Sequence, residues 1–158
     1  MPLLLCRVDD RLIHGQVVLG WGRPLGLERI VLVDDEVAAN EWEQELYRMA
    51  VPDSIDVVFA TVEAAAPQLG AWHADRRRTA LLTGGIEEMA SLHAADHDAV
   101  HRINLGGIHH QPGRSERLPY LYLTDGELAF LRRLAADGAE IVAQDVPTAP
   151  RIGVDALR

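Results

Sequence analysis

Short continuous apolar runs alternate along the chain with longer segments of helical spacing. The apolar runs predict seven strands, the sixth being the weakest: Leu3–Val8, Arg29–Val33, Asp56–Ala60, Thr79–Leu82, Arg102–Leu105, Leu118–Leu123 and Glu140–Gln144. Strands separated by helices form mostly parallel sheets, and continuously apolar strands indicate that helices cover both faces. The pattern therefore predicts an α/β fold with a mostly parallel open sheet of about six to seven strands, flanked by helices.

Helices are predicted from capping residues and apolar stripes. Asn40 is a suitable N-cap for a helix ending near residue 50, in which four apolar residues follow one stripe of the kind that packs on a core: Trp42, Leu46, Met49 and Ala50. Thr124 and Glu127 form a capping box for a helix that stops at Gly138. Three shorter helices are expected over 16–20, 61–69 and 86–94.

The length of the chain fits a single domain. Its 158 residues contain no internal repeat, low-complexity tract or linker. From about residue 147 onward we expect a short C-terminal tail, because Pro147 and Pro150 prevent regular strand pairing. The sequence therefore predicts one domain over residues 1–158.

Charge and cysteine content exclude several classes of chemistry. The chain has 15 arginines, no lysine and a net charge of −9, which rules out lysine Schiff bases and the phosphate-binding lysine of a P-loop. Residues 34–63 carry a local charge of −8, so nucleic-acid binding, which needs a basic face, is not expected. A lone Cys6 and the lack of an apolar stretch of about 20 residues indicate a soluble protein of the cytoplasm.

Polar and glycine-rich residues follow four of the predicted strands. These segments are 9–16, 34–35, 83–85 and 106–110. In an open parallel sheet, ligands bind beyond the carboxyl ends of the strands, where such segments meet. The sequence therefore predicts a concave site with Arg11 and His14 at its centre.

His14 directly precedes the predicted start of a helix. A helix N-terminus stabilises anions and favours a neutral imidazole, which could accept a phosphoryl group. Arg11 could bind the phosphoryl oxygens, and Asp10 could hydrogen-bond the second ring nitrogen and fix the tautomer. A structural histidine in a strand–helix loop is the alternative that spacing alone leaves open.

Other polar clusters have simpler explanations. The histidines at 93, 97 and 101 recur every four residues, but without further ligands they are better read as exposed polar residues than as a metal site. The pair Asp34-Asp35 suits a strand-end turn or helix cap. His109 and His110 lie in a loop that either contacts a partner or the phosphoryl group, or is plain solvent-exposed loop. No metal and no cofactor is expected.

The run from Arg7 to Val17, RVDDRLIHGQV, resembles the opening of the B subunit of enzyme II in the mannose/fructose/sorbose family of the bacterial sugar phosphotransferase system (PTS). The similarity continues through residues 30–38, 104–107 and 144–147, and so covers nearly the whole chain. It implies a cytoplasmic phosphotransferase component, associated with the inner membrane through partner subunits, that acts through a phosphohistidine. Phosphate would pass from the A subunit to His14, and then to a sugar held by the membrane subunits C and D.

The resemblance also assigns roles to residues. His14 would be the nucleophile, Arg11 the phosphoryl clamp and Asp10 an orienting residue, while Gly15, Gln16, Thr83 and Gly84 would support the phosphoryl group. Two other functions remain open: a regulatory phosphohistidine protein that reports phosphotransfer without sugar transport, and a non-catalytic binding module on the same fold. The sequence determines neither the sugar, nor the phosphorylated nitrogen, nor the oligomeric state.

Overall fold

A seven-stranded sheet forms the centre of the molecule in the computed structural model, which describes residues 3–158. Its strands are β1 (Leu3–Val8), β2 (Arg29–Val33), β3 (Asp56–Ala60), β4 (Thr79–Thr83), β5 (Arg102–Leu105), β8 (Glu140–Ala143) and β9 (Ile152–Gly153). Strands β6 (Ser115–Leu118) and β7 (Leu121–Leu123) form a separate antiparallel pair. The order across the large sheet is β3-β2-β4-β1-β5-β8-β9, and only β9 runs antiparallel to its neighbour.

Helices connect the parallel strands. They are α1 (Gln16–Trp21, continued by Gly22–Leu25), α2 (Asp35–Ala38), α3 (Glu41–Met49), α4 (Val62–Ala65, continued by a turn over Ala66–Gln68), α5 (Leu69–Ala74), α6 (Ile86–Ala95) and α7 (Asp125–Ala136). The first turns of α1 are wound wider than an α-helix, since the Gly22 N–H donates to the Val17 carbonyl five residues back. No helix within residues 3–158 is long and apolar enough to cross a membrane.

The core lies on both faces of the sheet. Along β2, Ile30 and Leu32 pack on one face with α1, whereas Val31 and Val33 pack on the other with α4 to α7. All five residues of β2 are buried, as the continuous apolar run predicts. The predicted fold class, a single α/β domain with a mostly parallel, helix-flanked sheet, is confirmed.

The topology places a crevice between β1 and β5. These strands are neighbours, but the chain leaves β1 toward β2 on one side of the sheet and leaves β5 toward β8 on the other. Connections that diverge in this way leave a gap at the carboxyl ends of the two strands, which is where α/β proteins bind ligands. The loop that carries His14 begins at this point.

Four sequence predictions of local structure are wrong. The sixth strand is a hairpin, β6 and β7, because Pro119 and Tyr120 form its turn. The C-terminal tail does pair, since Ile152 lies beyond both prolines and β9 adds to β8. The helix capped by Thr61 extends past Gly70 to Ala74. The apolar stripe of α3 faces solvent instead of the core.

Candidate functional site

The loop after β1 is held against the ends of both neighbouring strands. The Asp9 N–H donates to the Thr83 carbonyl at 2.9 Å, and the Asp10 N–H donates to the Gly107 carbonyl at 2.9 Å. Leu12 has a φ of 62°, a left-handed conformation that is strained for leucine. This turn reverses the chain so that His14 lies at the start of α1, as the sequence predicts.

Asp9 is the centre of the site. Its carboxylate is fully buried and lies 3.4 Å from Arg7 Nη2, 3.2 Å from Arg11 Nε and 3.2 Å from His14 Nε2. Burial by itself would raise the pKa of Asp9, but hydrogen bonds from Arg11 and the charge of Arg7 outweigh it and hold the pKa below its ordinary value. Asp9 is therefore a buried carboxylate anion that contacts two guanidinium groups and the imidazole.

Arg7 supplies the permanent positive charge beneath the site. It is fully buried, and its guanidinium donates to the carbonyls of Gln144 at 2.8 Å and Asp145 at 3.0 Å. The guanidinium also lies 5.0 Å from the centre of the Trp21 ring, which is within cation–π distance. These contacts fix Arg7 in place and connect β1 to the segment after β8.

The two nitrogens of His14 have different surroundings. Nε2 is buried and lies 3.2 Å from Asp9 Oδ2, although the approach does not have hydrogen-bond geometry. The ring as a whole retains 18% of its surface exposed. Burial lowers the pKa of His14, and the positive charges of Arg11 and Arg7 add to this effect against the opposing charge of Asp9. The imidazole is therefore neutral near pH 7 with Nε2 directed inward.

Arg11 is held by hydrogen bonds but remains partly exposed to solvent. Its Nε and Nη2 donate to the two oxygens of Asp9, both at 3.2 Å, and Nη2 also donates to Gln16 Oε1 at 2.8 Å. Gln16 in turn donates from Nε2 to Asp145 Oδ1 at 3.0 Å. The Arg11 side chain is 38% exposed. Arg11 and Gln16 thus lie beside His14 in a connected network that reaches the surface.

The sequence predicted that Asp10 would hydrogen-bond His14, but the two side chains do not pair. Its carboxylate instead binds His109, accepting from the backbone N–H at 2.7 Å and lying 2.6 Å from the ring nitrogen Nδ1. The chain reverses direction after Asp9, so neighbouring carboxylates point to different loops. Asp9 takes the position next to His14, and Asp10 ties the loop to the segment after β5.

The remaining expected contacts are placed as follows. Thr83 is buried and its hydroxyl donates to the Gly85 carbonyl at 2.9 Å, which leaves no hydroxyl hydrogen for a phosphoryl group. Gly84 lies where a Cβ would come within 3.0 Å of the Leu12 side chain, so it provides room for the turn. Gly15 has no heavy atom within 4 Å of where its Cβ would be, and it begins the helix after His14.

Arg7 and Asp9 lie in the run from Arg7 to Val17, but no role was predicted for either of them. A signal was present, because an arginine inside an otherwise apolar buried strand needs a nearby anion. Asp9, two residues further along, lies on the same side of β1. The period of two along a strand could have paired them.

Asp34 and His93 have structural roles. Asp34 caps α2, accepting from the N–H groups of Glu36 and Val37 at 3.0 Å, as predicted. His93 was expected to be exposed, but it is buried, and its Nδ1 contacts the Val100 carbonyl.

A cavity of about 520 Å³ opens beside the site and is lined by Asp10 and Gly84 but not by His14. It therefore does not hold a substrate against the imidazole.

Comparison with known proteins identifies the family. Residues 3–157 match the family model described as the PTS system sorbose subfamily IIB component. The chain is 31% identical over 153 residues to the N-acetylgalactosamine-specific phosphotransferase enzyme IIB component 2 of Escherichia coli K12, covering 96% of both chains. It is 26% identical to the mannose-specific EIIAB component of the same organism, covering 96% of this chain and 47% of that protein.

The fold agrees with a solved relative. The crystal structure of the N-acetylgalactosamine-specific IIB component 1 from Escherichia coli superimposes with a TM-score of 0.86 at 28% identity, covering 94% of this chain and 97% of that one. The chain is therefore a member of the sorbose subfamily of IIB components of the sugar phosphotransferase system.

Proposed function

We propose that this IIB component carries phosphate on His14. The A subunit donates the phosphoryl group from a histidine of its own, and the membrane subunits C and D present the sugar that receives it. The protein would work in the cytoplasm and be held at the inner membrane through those subunits. The observation that carries this proposal is an imidazole at a helix N-terminus, with one nitrogen buried against Asp9 and an arginine bound to the same carboxylate.

The geometry favours Nδ1 as the phosphorylated nitrogen. Nε2 is inaccessible to solvent and lies against Asp9, whereas the ring retains an exposed part. A phosphorus atom must approach a nitrogen lone pair in the plane of the ring, and only Nδ1 offers one from outside. A proton on Nε2, next to the Asp9 carboxylate, leaves the Nδ1 lone pair free.

The transfer exchanges one nitrogen–phosphorus bond for another. The Nδ1 lone pair attacks phosphorus, the bond to the donor histidine breaks, and the donor imidazole leaves with the electron pair of that bond. The positive charge that develops on His14 is stabilised by Asp9, 3.2 Å from Nε2. Catalysis then reduces to alignment and stabilisation of spread negative charge on the phosphoryl oxygens.

Arg11 has donors left for those oxygens. A guanidinium has five N–H donors, and the contacts with Asp9 and Gln16 use those on Nε and Nη2. The two Nη1 hydrogens remain, on a side chain that is 38% exposed. Backbone N–H groups from Gly15 onward and the Gln16 side chain complete the proposed phosphate site, with Thr83 and Gly84 shaping its floor.

The relatives support the partners. In the mannose-specific EIIAB relative, as its name states, A and B portions form one protein, and this chain matches 47% of it. We infer that an A subunit or domain serves this chain as the phosphate donor. The relatives named above are specific for N-acetylgalactosamine and for mannose, and the sugar of this system would be set by its own membrane subunits.

Intact-mass measurement after incubation with phosphoenolpyruvate, the general phosphotransfer proteins and the cognate A subunit tests the proposal. We expect an acid-labile phosphoryl group on the wild type and on the matched control His101→Ala, which removes an exposed histidine at the amino end of β5, away from His14. His14→Ala should gain none. Phosphorus NMR of the labelled protein should identify the Nδ1 isomer.

Labelling of the His14→Ala variant to the wild-type level would overturn the assignment, as would an unlabelled wild type. Sugar phosphorylation by inverted membrane vesicles that contain subunits C and D tests the second step. A protein that is phosphorylated on His14 but does not support sugar phosphorylation with its cognate membrane subunits would instead have the regulatory role.

A further inference from the structure

Helix α3 presents an apolar face to solvent. Trp42 is 73% exposed, Leu46 is 47% exposed and Met49 is 81% exposed. These residues are spaced at i, i+4 and i+7, so they form one stripe along the helix. We call them the α3 patch. Large apolar residues that share one exposed face mark interaction sites more often than isolated ones do.

The orientation of α3 is fixed by its other face. Gln44 Nε2 donates to the carbonyls of Val37 at 2.9 Å and Ala38 at 3.2 Å, which satisfies the end of α2. Tyr47 packs toward the sheet, with its ring centre 6.3 Å from that of Phe59. Turning the patch inward would break these contacts, so the protein cannot bury it by rotating the helix.

Acidic residues surround the patch. Glu41 and Glu45 are exposed on the same helix, and Arg48, the only cation in residues 34–63, is paired with Glu45 at 3.1 Å. Residues 34–49, which comprise the α2 cap, α2 and α3, together carry a charge of −5. An apolar face with an acidic rim repels a second copy of itself and an anionic lipid surface, and it attracts a basic protein surface.

The patch lies on the flank of the His14 site. Gly84 lies between the two: a Cβ at this position would be 3.0 Å from the side chain of Leu12, in the loop before His14, and 3.8 Å from Oδ2 of Asp34, the residue that caps α2. Helix α3 follows directly, so Trp42 is near the same end of the sheet as His14. Strands β1 and β2 are two positions apart, about 10 Å. One partner with a standard contact area of about 800 Å² can therefore cover both.

We propose that the α3 patch docks this IIB component on the cytoplasmic loops of the membrane subunits. The inference rests on the proposed function, which requires phosphorylated His14 to meet a membrane-bound sugar site. Cytoplasmic loops of membrane proteins are enriched in lysine and arginine, the charge that the acidic rim of the patch complements. Tryptophan and methionine are enriched at protein interfaces, and tryptophan is among the residues that contribute most to binding.

Two variants of the patch and one control test this assignment. Trp42→Ala removes the largest apolar side chain, and Met49→Glu adds a charge to the apolar stripe. Ala129→Glu is the control, because it adds the same charge to an exposed position of α7, on the opposite face of the sheet. All three sites are exposed, and circular dichroism would confirm that each variant is folded.

Co-sedimentation with inverted vesicles containing subunits C and D measures docking directly. We expect each patch variant to bind at least tenfold more weakly than the wild type, and the control to bind normally. High salt should weaken wild-type binding, since the rim acts through charge. Phosphoryl uptake from the A subunit should be unchanged in both patch variants, because the A subunit needs to reach only His14 and the phosphate site around it.

Several outcomes would overturn the assignment. One is that the patch variants bind the vesicles as tightly as the wild type. Another is that the wild type binds equally to vesicles that lack C and D. A third is a loss of phosphoryl uptake that parallels the loss of docking, because that result would place the A subunit on the patch. A concentration-dependent dimer of the wild type that Met49→Glu dissociates would assign the patch to self-association. Failure of His14 phosphorylation would overturn the proposed function alone, because vesicle binding is measured without phosphate transfer.

Discussion

At the scale of single residues, the site is organised by one buried carboxylate. Asp9 contacts Arg7, Arg11 and His14, so its charge compensates two guanidinium groups and lies against Nε2 of the imidazole. A buried charge without a partner is far more costly than a buried pair. Asp9 therefore affects both the stability of the fold and the electrostatics of the proposed phosphate carrier.

Replacement of Asp9 by asparagine should destabilise the protein by about 3–5 kcal/mol, because Arg7 would remain buried without its anion. Urea denaturation measures this loss. The pKa of Asp9 is lowered by folding, so its stabilising contribution is present above the ordinary value of 3.8 and is lost as pH falls through the lower folded pKa. The difference in stability between variant and wild type should therefore shrink in acid.

Asp53→Asn is the control for this prediction, since Asp53 is exposed. We expect its free energy of unfolding to stay within about 0.5 kcal/mol of the wild type. An Asp9→Asn variant as stable as this control would show that Arg7 does not depend on Asp9.

Gly106 is a second position where one residue determines the geometry. A Cβ there would lie 2.3 Å from Arg7 Nη2 and 2.4 Å from Arg7 Cζ, and Arg7 is held too firmly to move away. Gly106→Ala should therefore lower the free energy of unfolding by about 1–3 kcal/mol.

Gly15 provides the comparison. A Cβ at Gly15 meets open space and the backbone there is helical, so Gly15→Ala should raise the free energy of unfolding by about 0.4–1 kcal/mol. Thermal unfolding of the two variants compares them, and equal shifts would contradict the contact.

At the scale of elements, the C-terminal segment is part of the fold. Strand β9 pairs with the outer edge of β8, and Val154 and Leu157 are buried beyond it. Arg132 of α7 donates to the Leu157 carbonyl at 2.7 Å. The segment covers an otherwise open sheet edge and closes the core beneath α7.

Leu157→Ala tests that role. Leu157 is 1% exposed, so its truncation should cost about 2–5 kcal/mol in the free energy of unfolding. The neighbouring Arg158→Ala, an exposed terminal position, should change stability by less than about 0.5 kcal/mol. Denaturation curves that place both variants at the wild-type midpoint would show that the segment is dispensable.

At the scale of the whole molecule, one sheet joins two core layers. Trp21, the last residue of the first part of α1, is buried in one layer, and Trp72, in α5, is buried in the layer on the opposite face of the sheet. Because the strands contribute side chains to both layers, neither layer can lose its packing without exposing the other face of the same strands. The layers should therefore unfold together.

Single-tryptophan variants that retain either Trp21 or Trp72, with phenylalanine at the other two tryptophans, report on each layer. In each variant we expect the urea midpoint from fluorescence to coincide with that from far-UV circular dichroism. A fluorescence midpoint below the dichroism midpoint in one variant only would mean that its layer unfolds separately.

Much of the local structure followed from the sequence because its causes are local. Strands β1, β2, β3 and β5 begin and end where the apolar runs do, and the predicted caps Asn40, Thr61 and Thr124 each accept the expected backbone N–H. The placement of His14 at a helix start also needed only the neighbouring residues.

What the sequence by itself determined is the α/β class, six of the seven strands of the large sheet, the caps and the rim on which His14 lies, since periodicity and capping act over a few residues. Only the tertiary structure decided that Asp9 and not Asp10 meets His14, that the stripe of α3 faces outward and that β9 completes the sheet. The first and third outcomes depend on contacts between segments that are distant in sequence, such as those of Arg7 with the carbonyls of residues 144 and 145. The second depends on the face of α3 that carries Gln44, whose side chain donates to a carbonyl at the end of α2. No spacing along the chain encodes them.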